Sequence, residues 1–189
     1  MLFLENQSTK FYDRFASKYD VMISEKRYNE DSLFFKSIFK KYNVKSVLDC
    51  SCGTGKHVLR FSKLGFKATG SDISLEMINK ARESAHTLGI DVDFVQADFK
   101  RLDEVLDEKF DCVICVGNSL NHELAEKGIL SALRSMHNVL NDRGVVIIQG
   151  RNLPKWVKEK RRIFPMHFHK EPNGDRKIFF TCSTSSGQG

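Results

Sequence analysis

Asp49-Cys50-Ser51-Cys52-Gly53-Thr54-Gly55 sets a carboxylate four residues ahead of a Gly-x-Gly turn, directly after the apolar run Val44 to Leu48. Gly53 and Gly55 lack a Cβ, so the backbone can turn sharply and let a ligand lie against the main chain. A helix is predicted just beyond, from about Lys56 to Leu64, and its positive N-terminal end can receive an anionic group. Seventeen residues after Gly55, the segment Lys67 to Asp72 ends in an acid. At the tip of a second strand, Asp72 is placed to hold a ribose through charge-assisted hydrogen bonds. This is the chemistry of a nucleoside-bearing cofactor. A dinucleotide fingerprint would need a third glycine where Val58 or Leu59 stands. A phosphate-cradling loop would need Gly-Lys-Ser/Thr, and Lys56 is followed by His57. An acid ahead of the glycines suits a ligand with a cationic amino-acid end better than one with a pyrophosphate.

Three further strand tips carry polar chemistry. Gln96-Ala97-Asp98-Phe99 offers an acceptor for an adenine amine and an aromatic for its ring face; the alternative for Asp98 is a cap on the turn at Lys100 to Leu102. Gly117 lets the backbone approach a ligand, and Asn118 supplies both a donor and an acceptor. The alternative for Asn118 is a cap on a helix starting near Glu123. Arg151 closes the fifth strand with a planar fork that matches a carboxylate in bidentate fashion, its alternative being a surface ion pair. Tyr12 and Tyr19, on an aromatic helix face, present rings and oxygens that attract a cation, or else simply pack.

The elements that must position these residues follow from periodicity. Phe11, Tyr12, Phe15 and Tyr19 fall at helical spacing, and Leu33, Phe34, Ile38 and Tyr42 do so again behind an Asp31/Ser32 cap. Strands are predicted at 44–50, 67–71, 91–96, with Val92 and Phe94 inward, 110–116 and 145–149. Helices are predicted at 56–64, stopped by Gly65, at 74–88, capped by Ser74 and stopped by Gly89, and at 123–140, followed by a turn at Asn141 to Gly144. Five strands joined by crossover helices require a parallel sheet with right-handed connections, and ligands bind at the carboxyl ends of such strands. After Gly150 an antiparallel hairpin is expected, with Arg161 to His169 returning through Pro172-Asn173-Gly174-Asp175 into Arg176 to Cys182. The domain division is 1–43 as a helical cap, 44–150 as the binding domain and 151–189 as the start of a substrate-binding segment. A final antiparallel strand pair on the main sheet is not visible, so the chain reads as stopping early.

With these residues in view, Val47 to Gly55 resembles the first motif of the class I S-adenosylmethionine-dependent methyltransferases, a likeness that covers roughly residues 8–150. Gly117-Asn118-Ser119, His122, Arg151-Asn152 and Arg27 are similar to the glycine/sarcosine N-methyltransferase family. The resemblance implies an α/β, Rossmann-like class I fold, a mostly parallel sheet flanked by helices. It implies S-adenosyl-L-methionine as cofactor and a small amino acid or amine, such as glycine or sarcosine, as acceptor. Cofactor contacts are expected from Tyr12, Arg27, Asp49, Cys52, Gly53, Gly55, Asp72, Ile73, Met77, Asp98, Phe99, Val116, Asn118 and His122. Arg27, 22 residues before Asp49 in the segment between the two front helices, would bind the cofactor's carboxylate. Asn118, Arg151 and Tyr19 would act on the acceptor, with Arg151 on its carboxylate. Small-molecule O-methylation and a non-catalytic binding module are the alternatives; a nicotinamide-dependent oxidoreductase is disfavoured by the missing third glycine.

Composition bounds the remainder. A chain of 189 residues with 41% hydrophobic and 29% charged residues holds one good core. No apolar run approaches the length of a membrane span and no signal-peptide core opens the chain, so a cytoplasmic protein is expected. Five cysteines in apolar strands fit reduced thiols, and Cys112 and Cys115, three apart on a strand, point to opposite faces. His167 and His169 share a face without an identifiable third ligand, so no metal is expected. The net charge of +6 lies in residues 150–189, with 9 Lys/Arg against 3 Asp/Glu, largely over Lys155 to Arg162. A solvated face or subunit contact, compatible with a homo-oligomer, accounts for it; attraction of an anionic substrate or RNA is the sharper reading. No aromatic interleaving favours nucleic acid.

Overall fold

Apolar segments punctuated by glycine become the strands of a sheet. The computed structural model describes residues 25–152, 155, 158–160, 163–170 and 176–182. Its elements are α1 (Glu25–Lys41), β1 (Ser46–Asp49), α2 (Lys56–Lys63), β2 (Lys67–Asp72), α3 (Leu75–Leu88), β3 (Asp93–Gln96), β4 (Phe110–Cys115), α4 (Glu126–Asn138), β5 (Leu140–Ile148), β6 (Ile163–Lys170) and β7 (Arg176–Cys182). Short 3₁₀ turns lie at Leu102–Glu104 and Ser119–His122. The first five strands form one sheet in the order β3-β2-β1-β4-β5, every pairing parallel. Chain order therefore reverses between β1 and β4, which is where such sheets open a crevice. The parallel doubly wound fold expected from the sequence is present. β6 and β7 pair antiparallel as a separate two-stranded sheet, as the turn chemistry of Pro172 to Asp175 predicts.

Two cores sandwich the sheet. Phe35 and Phe39 of α1, Val58 and Phe61 of α2, and Ile78 and Ala81 of α3 cover one face. Ala132 and Met136 of α4, with Leu102, cover the other. From Cys112 onward β4 alternates: Cys112 and Ile114 enter the first core, Val113 and Cys115 the second, and all four are 0% exposed. The two cysteines thus face opposite sides, which excludes a bond between them. Burial pushes the Cys112 thiol up to about 12, so it is an inert packing group.

Several boundaries differ from expectation. No cap interrupts the front at Asp31 and Ser32; α1 runs through both, and Arg27 lies inside it rather than between two helices. The buried stripe is Ser32, Phe35 and Phe39, while Leu33, Phe34 and Tyr42 are 72%, 54% and 48% exposed. Ser32 is small enough to let the helix approach, and the Phe61 ring meets Phe35 and Phe39 edge-on at 5.3 and 5.1 Å. Ser74 does cap α3, its Oγ accepting the N–H of Met77 at 3.1 Å, and Gly89 ends it at φ 62°. α4 starts at Glu126 instead of Glu123, because Asn118 at φ 79° diverts the chain into a 3₁₀ turn first. The turn expected at Asn141 to Gly144 is absorbed into β5, where pairing jumps from Phe110–Leu140 to Cys112–Val145 and Arg143 takes φ 63°.

Candidate functional site at the strand tips

Parallel pairing brings every expected strand tip to one rim. The end of β1 is tied to that of β2 by Cys52 N–H to Ser71 O at 2.9 Å and by Gly53 N–H to Asp72 Oδ2 at 2.8 Å. β2 is tied to β3 by Ala97 N–H to Asp72 O at 3.0 Å and by the Gln96 amide to Ile73 O at 3.1 Å. On the other side, Cys50 N–H reaches Ile114 O at 3.0 Å, and Gln149 N–H reaches Cys115 O at 3.0 Å. Asp98, Asp72, Asp49, Asn118 and Arg151 therefore line one edge in that order.

Asp49 carries the strongest sign of a ligand. It is 1% exposed, its Oδ1 accepts the N–H of Ser51 at 3.2 Å, and its buried Oδ2 has no hydrogen-bond partner. Burial pushes its carboxyl well above the usual range; the Ser51 N–H offsets part of this, and nearby Cys115 and Asp72 add to the rise. A buried carboxylate oxygen without a partner is costly unless a cation meets it. An amino-acid ammonium has the charge and the donors, so this position fits the cofactor the sequence implies.

Asp72 accepts from Gly53 N–H on one oxygen and from Ser74 N–H on the other at 3.0 Å, which fixes the orientation of its carboxylate at the tip of β2. Ile73, 40% exposed beside it, offers an apolar surface. Met77 and Val116, at 1% and 8% exposure, belong to the interior walls, as does Cys52 at 9%. Asp98 caps its own turn, Oδ1 accepting Lys100 N–H at 2.9 Å, which is the alternative weighed from sequence; a carboxylate oxygen has a second lone pair, so the cap and an adenine contact are compatible. Phe99 leans on the second core. Gly55 has a second reason beside the one expected. Besides φ 79°, a Cβ there would come within 2.6 Å of the Phe94 ring and 2.9 Å of Ala81, so protein fills the space on that side of the backbone. Gly70 admits the same ring, at 2.7 Å.

Asn118 and Arg151 meet. Asn118 Oδ1 accepts the N–H of Arg151 at 3.0 Å and gives the following turn no side-chain cap, which removes that alternative. Two residues not singled out in the sequence complete the joint. Gln149 accepts the Gly117 N–H at 2.8 Å, and the Asn121 amide donates to Arg151 O at 3.5 Å across the space that a Cβ at Gly150 would fill. His122 lies close enough to Arg151 to feel its charge; desolvation and then that charge hold its imidazole below the usual range. Arg27 is placed by its backbone in α1, while Tyr12 and Tyr19 lie outside the described residues.

Residues 47–144 match the family described as a methyltransferase domain. The chain is 32% identical over 149 residues to a glycine/sarcosine N-methyltransferase of Aphanothece halophytica, covering 78% of this chain and 56% of that protein. A glycine/sarcosine N-methyltransferase of Halorhodospira halochloris gives the same figures. A solved S-adenosylmethionine-dependent methyltransferase from Clostridium acetobutylicum superposes with a TM-score of 0.66 at 18% identity, over 93% of this chain and 80% of that one, a likeness of fold. The chain spans about half the length of the curated relatives it matches.

Proposed function

The chain belongs to the methyltransferase domain family, and from that premise we propose that it transfers a methyl group from S-adenosylmethionine to the nitrogen of a small amino acid such as glycine or sarcosine. The observation that carries the acceptor class is Arg151, fixed at its backbone by Asn118 on the same rim as the unpartnered Asp49 oxygen. The 32% identity to glycine/sarcosine N-methyltransferases supports the same class. When bound, S-adenosylmethionine supplies a methyl carbon already activated by the sulfonium charge. Asp49 would hold the cofactor's ammonium, Asp72 its ribose hydroxyls and Asp98 its adenine amine, with Ile73 against the ring.

The guanidinium of Arg151 would take the acceptor's carboxylate in a bidentate pair. Its charge disfavours an ammonium nearby, which keeps the attacking nitrogen unprotonated. The Asn118 amide nitrogen, on a side chain held by its oxygen at the Arg151 N–H, would donate to the acceptor. Fixing nitrogen, methyl and sulfur in line supplies up to ~7–11 kcal/mol through effective molarity, so positioning does most of the work. Arg27 and Tyr12 at the cofactor, Tyr19 at the acceptor and His122 beside Arg151 complete the proposed set.

The test is a methyl-transfer assay on the 189-residue chain with glycine, sarcosine and dimethylglycine, alongside calorimetry with S-adenosylhomocysteine. Transfer to glycine or sarcosine supports the reading. Tight binding of S-adenosylhomocysteine without transfer to any amine identifies a binding module instead.

A further inference from the structure

Lys100 stands between two carboxylates from different loops. Its Nζ lies 2.9 Å from Oε2 of Glu123 and 3.6 Å from Oδ2 of Asp98, and the three side chains are 31%, 17% and 26% exposed. Its backbone N–H also donates to Asp98 Oδ1 at 2.9 Å, so both oxygens of that carboxylate face Lys100. Glu123 is fixed in turn. Its Oε1 accepts the N–H of Ala125 at 3.1 Å, and a Cβ at Gly128 would sit 2.1 Å from its carboxyl carbon, so α4 leaves space for this carboxylate only with glycine there. Ser131 Oγ, also on α4, donates to Lys100 O at 3.4 Å. The hydrogen bond to Glu123 raises the Lys100 ammonium above its usual range, and the same bond lowers Glu123. A partly covered bridge of this kind holds its members more firmly than an exposed pair.

This chain of contacts ends on the carboxylate assigned above to adenine. A carboxylate accepts and cannot donate, so it favours a 6-amino purine over a 6-oxo purine, whose oxygen would face it lone pair to lone pair. That preference requires the carboxylate to be aimed, since hydrogen bonds weaken steeply off axis. We propose that Lys100 and Glu123 are positioning residues for purine recognition, making the site's preference for adenine depend on a charge bridge anchored in the loop before α4. The proposal rests on Asp98 being the adenine acceptor.

The experiment is calorimetry of the whole chain with S-adenosylhomocysteine and with S-inosylhomocysteine, on the wild type and on Lys100→Met, Lys100→Arg, Glu123→Gln and Asp98→Asn, with urea unfolding of each. Lys100→Met weakens the adenosyl ligand about tenfold, the scale of one misaimed charge-assisted hydrogen bond, and narrows the adenosyl-to-inosyl ratio. Lys100→Arg keeps the ratio, and Glu123→Gln narrows it by a smaller factor. A wild-type ratio in Lys100→Met overturns the proposal. Should Lys100→Met fail to fold, Glu123→Gln decides: a narrowed ratio supports the bridge and a wild-type ratio overturns it. If Asp98→Asn alone keeps the wild-type ratio, the adenine assignment itself has failed and the proposal falls with it.

Discussion

Replacing Asp49 by Asn should move stability and cofactor affinity in opposite directions. The side chain is 1% exposed, with one oxygen on the Ser51 N–H and the other unpartnered. Its carboxyl is held well above the ordinary 3.8, by burial first, so the folded state binds the proton more tightly than the unfolded chain does. The sign follows from linkage. Below 3.8 the group is protonated in both states and carries no penalty. As pH rises from there toward the raised folded-state value, the native state loses about 1.4 kcal/mol per pH unit from this site, and above that value the loss stays constant. Asn does not ionise and keeps the Ser51 contact. The variant should therefore gain stability over the wild type through that window, up to about 1–3 kcal/mol where the buried acid is most strained. Toward an ammonium, however, Asn presents a weaker acceptor or a donor, so affinity for S-adenosylhomocysteine should fall about 10- to 150-fold, the scale of a hydrogen bond to a charged group. Urea unfolding over a pH series and calorimetry read the two effects. A variant that is less stable at neutral pH and binds S-adenosylhomocysteine as well as the wild type would refute the reasoning.

Arg151→Ala should raise the KM for an amino-acid acceptor at least tenfold through the lost bidentate pair while leaving S-adenosylhomocysteine affinity within about twofold; a fall in cofactor affinity instead would misplace the guanidinium. Gly55→Ala should destabilise by about 2–4 kcal/mol, because its Cβ meets Phe94 at 2.6 Å and φ is 79°; a loss below about 0.5 kcal/mol in urea unfolding would mean that the ring moves freely aside. Asp111 receives the N–H groups of Lys45 and Ser46 at 2.8 and 3.0 Å and the Asn141 amide at 2.9 Å. Burial pushes its carboxyl up, but these hydrogen bonds outweigh it and leave it below 3.8. Its stabilisation is therefore present above 3.8 and lost as pH falls through the lower folded-state value. Asp111→Asn should flatten the acid limb of the stability profile, and an unchanged limb would assign the acid sensitivity elsewhere.

The strand tips were legible because their punctuation is local. An acid, a glycine and an apolar run in sequence order give a strand, a turn and a ligand-facing group, and Asp49, Asp72 and Asp98 do gather on one rim through short backbone bonds. The face of α1 was not legible. Leu33, Phe34, Phe35, Ile38 and Phe39 supply apolar residues in more than one helical phase, and small Ser32 decides which phase packs. The sequence offers Gly53 and Gly55 as room for a ligand; Gly55, like Gly70, also makes room for Phe94, which lies 39 and 24 residues further along. Partners that distant leave no periodic trace. The same holds for Asn118 with Arg151, 33 apart, and for Lys100 with Glu123, 23 apart. A long-range hydrogen bond becomes visible only when parallel pairing has fixed which loops are neighbours.

A crystal structure of the chain soaked with S-adenosylhomocysteine and glycine puts the matter to its hardest trial. The ligand's ammonium should lie on the second oxygen of Asp49, its ribose on Asp72 and its adenine amine on Asp98, with the glycine carboxylate forked by Arg151 and its nitrogen facing the sulfur. Density for the nucleoside away from these three acids, or an Arg151 side chain turned from the sulfur with glycine bound elsewhere, would contradict it.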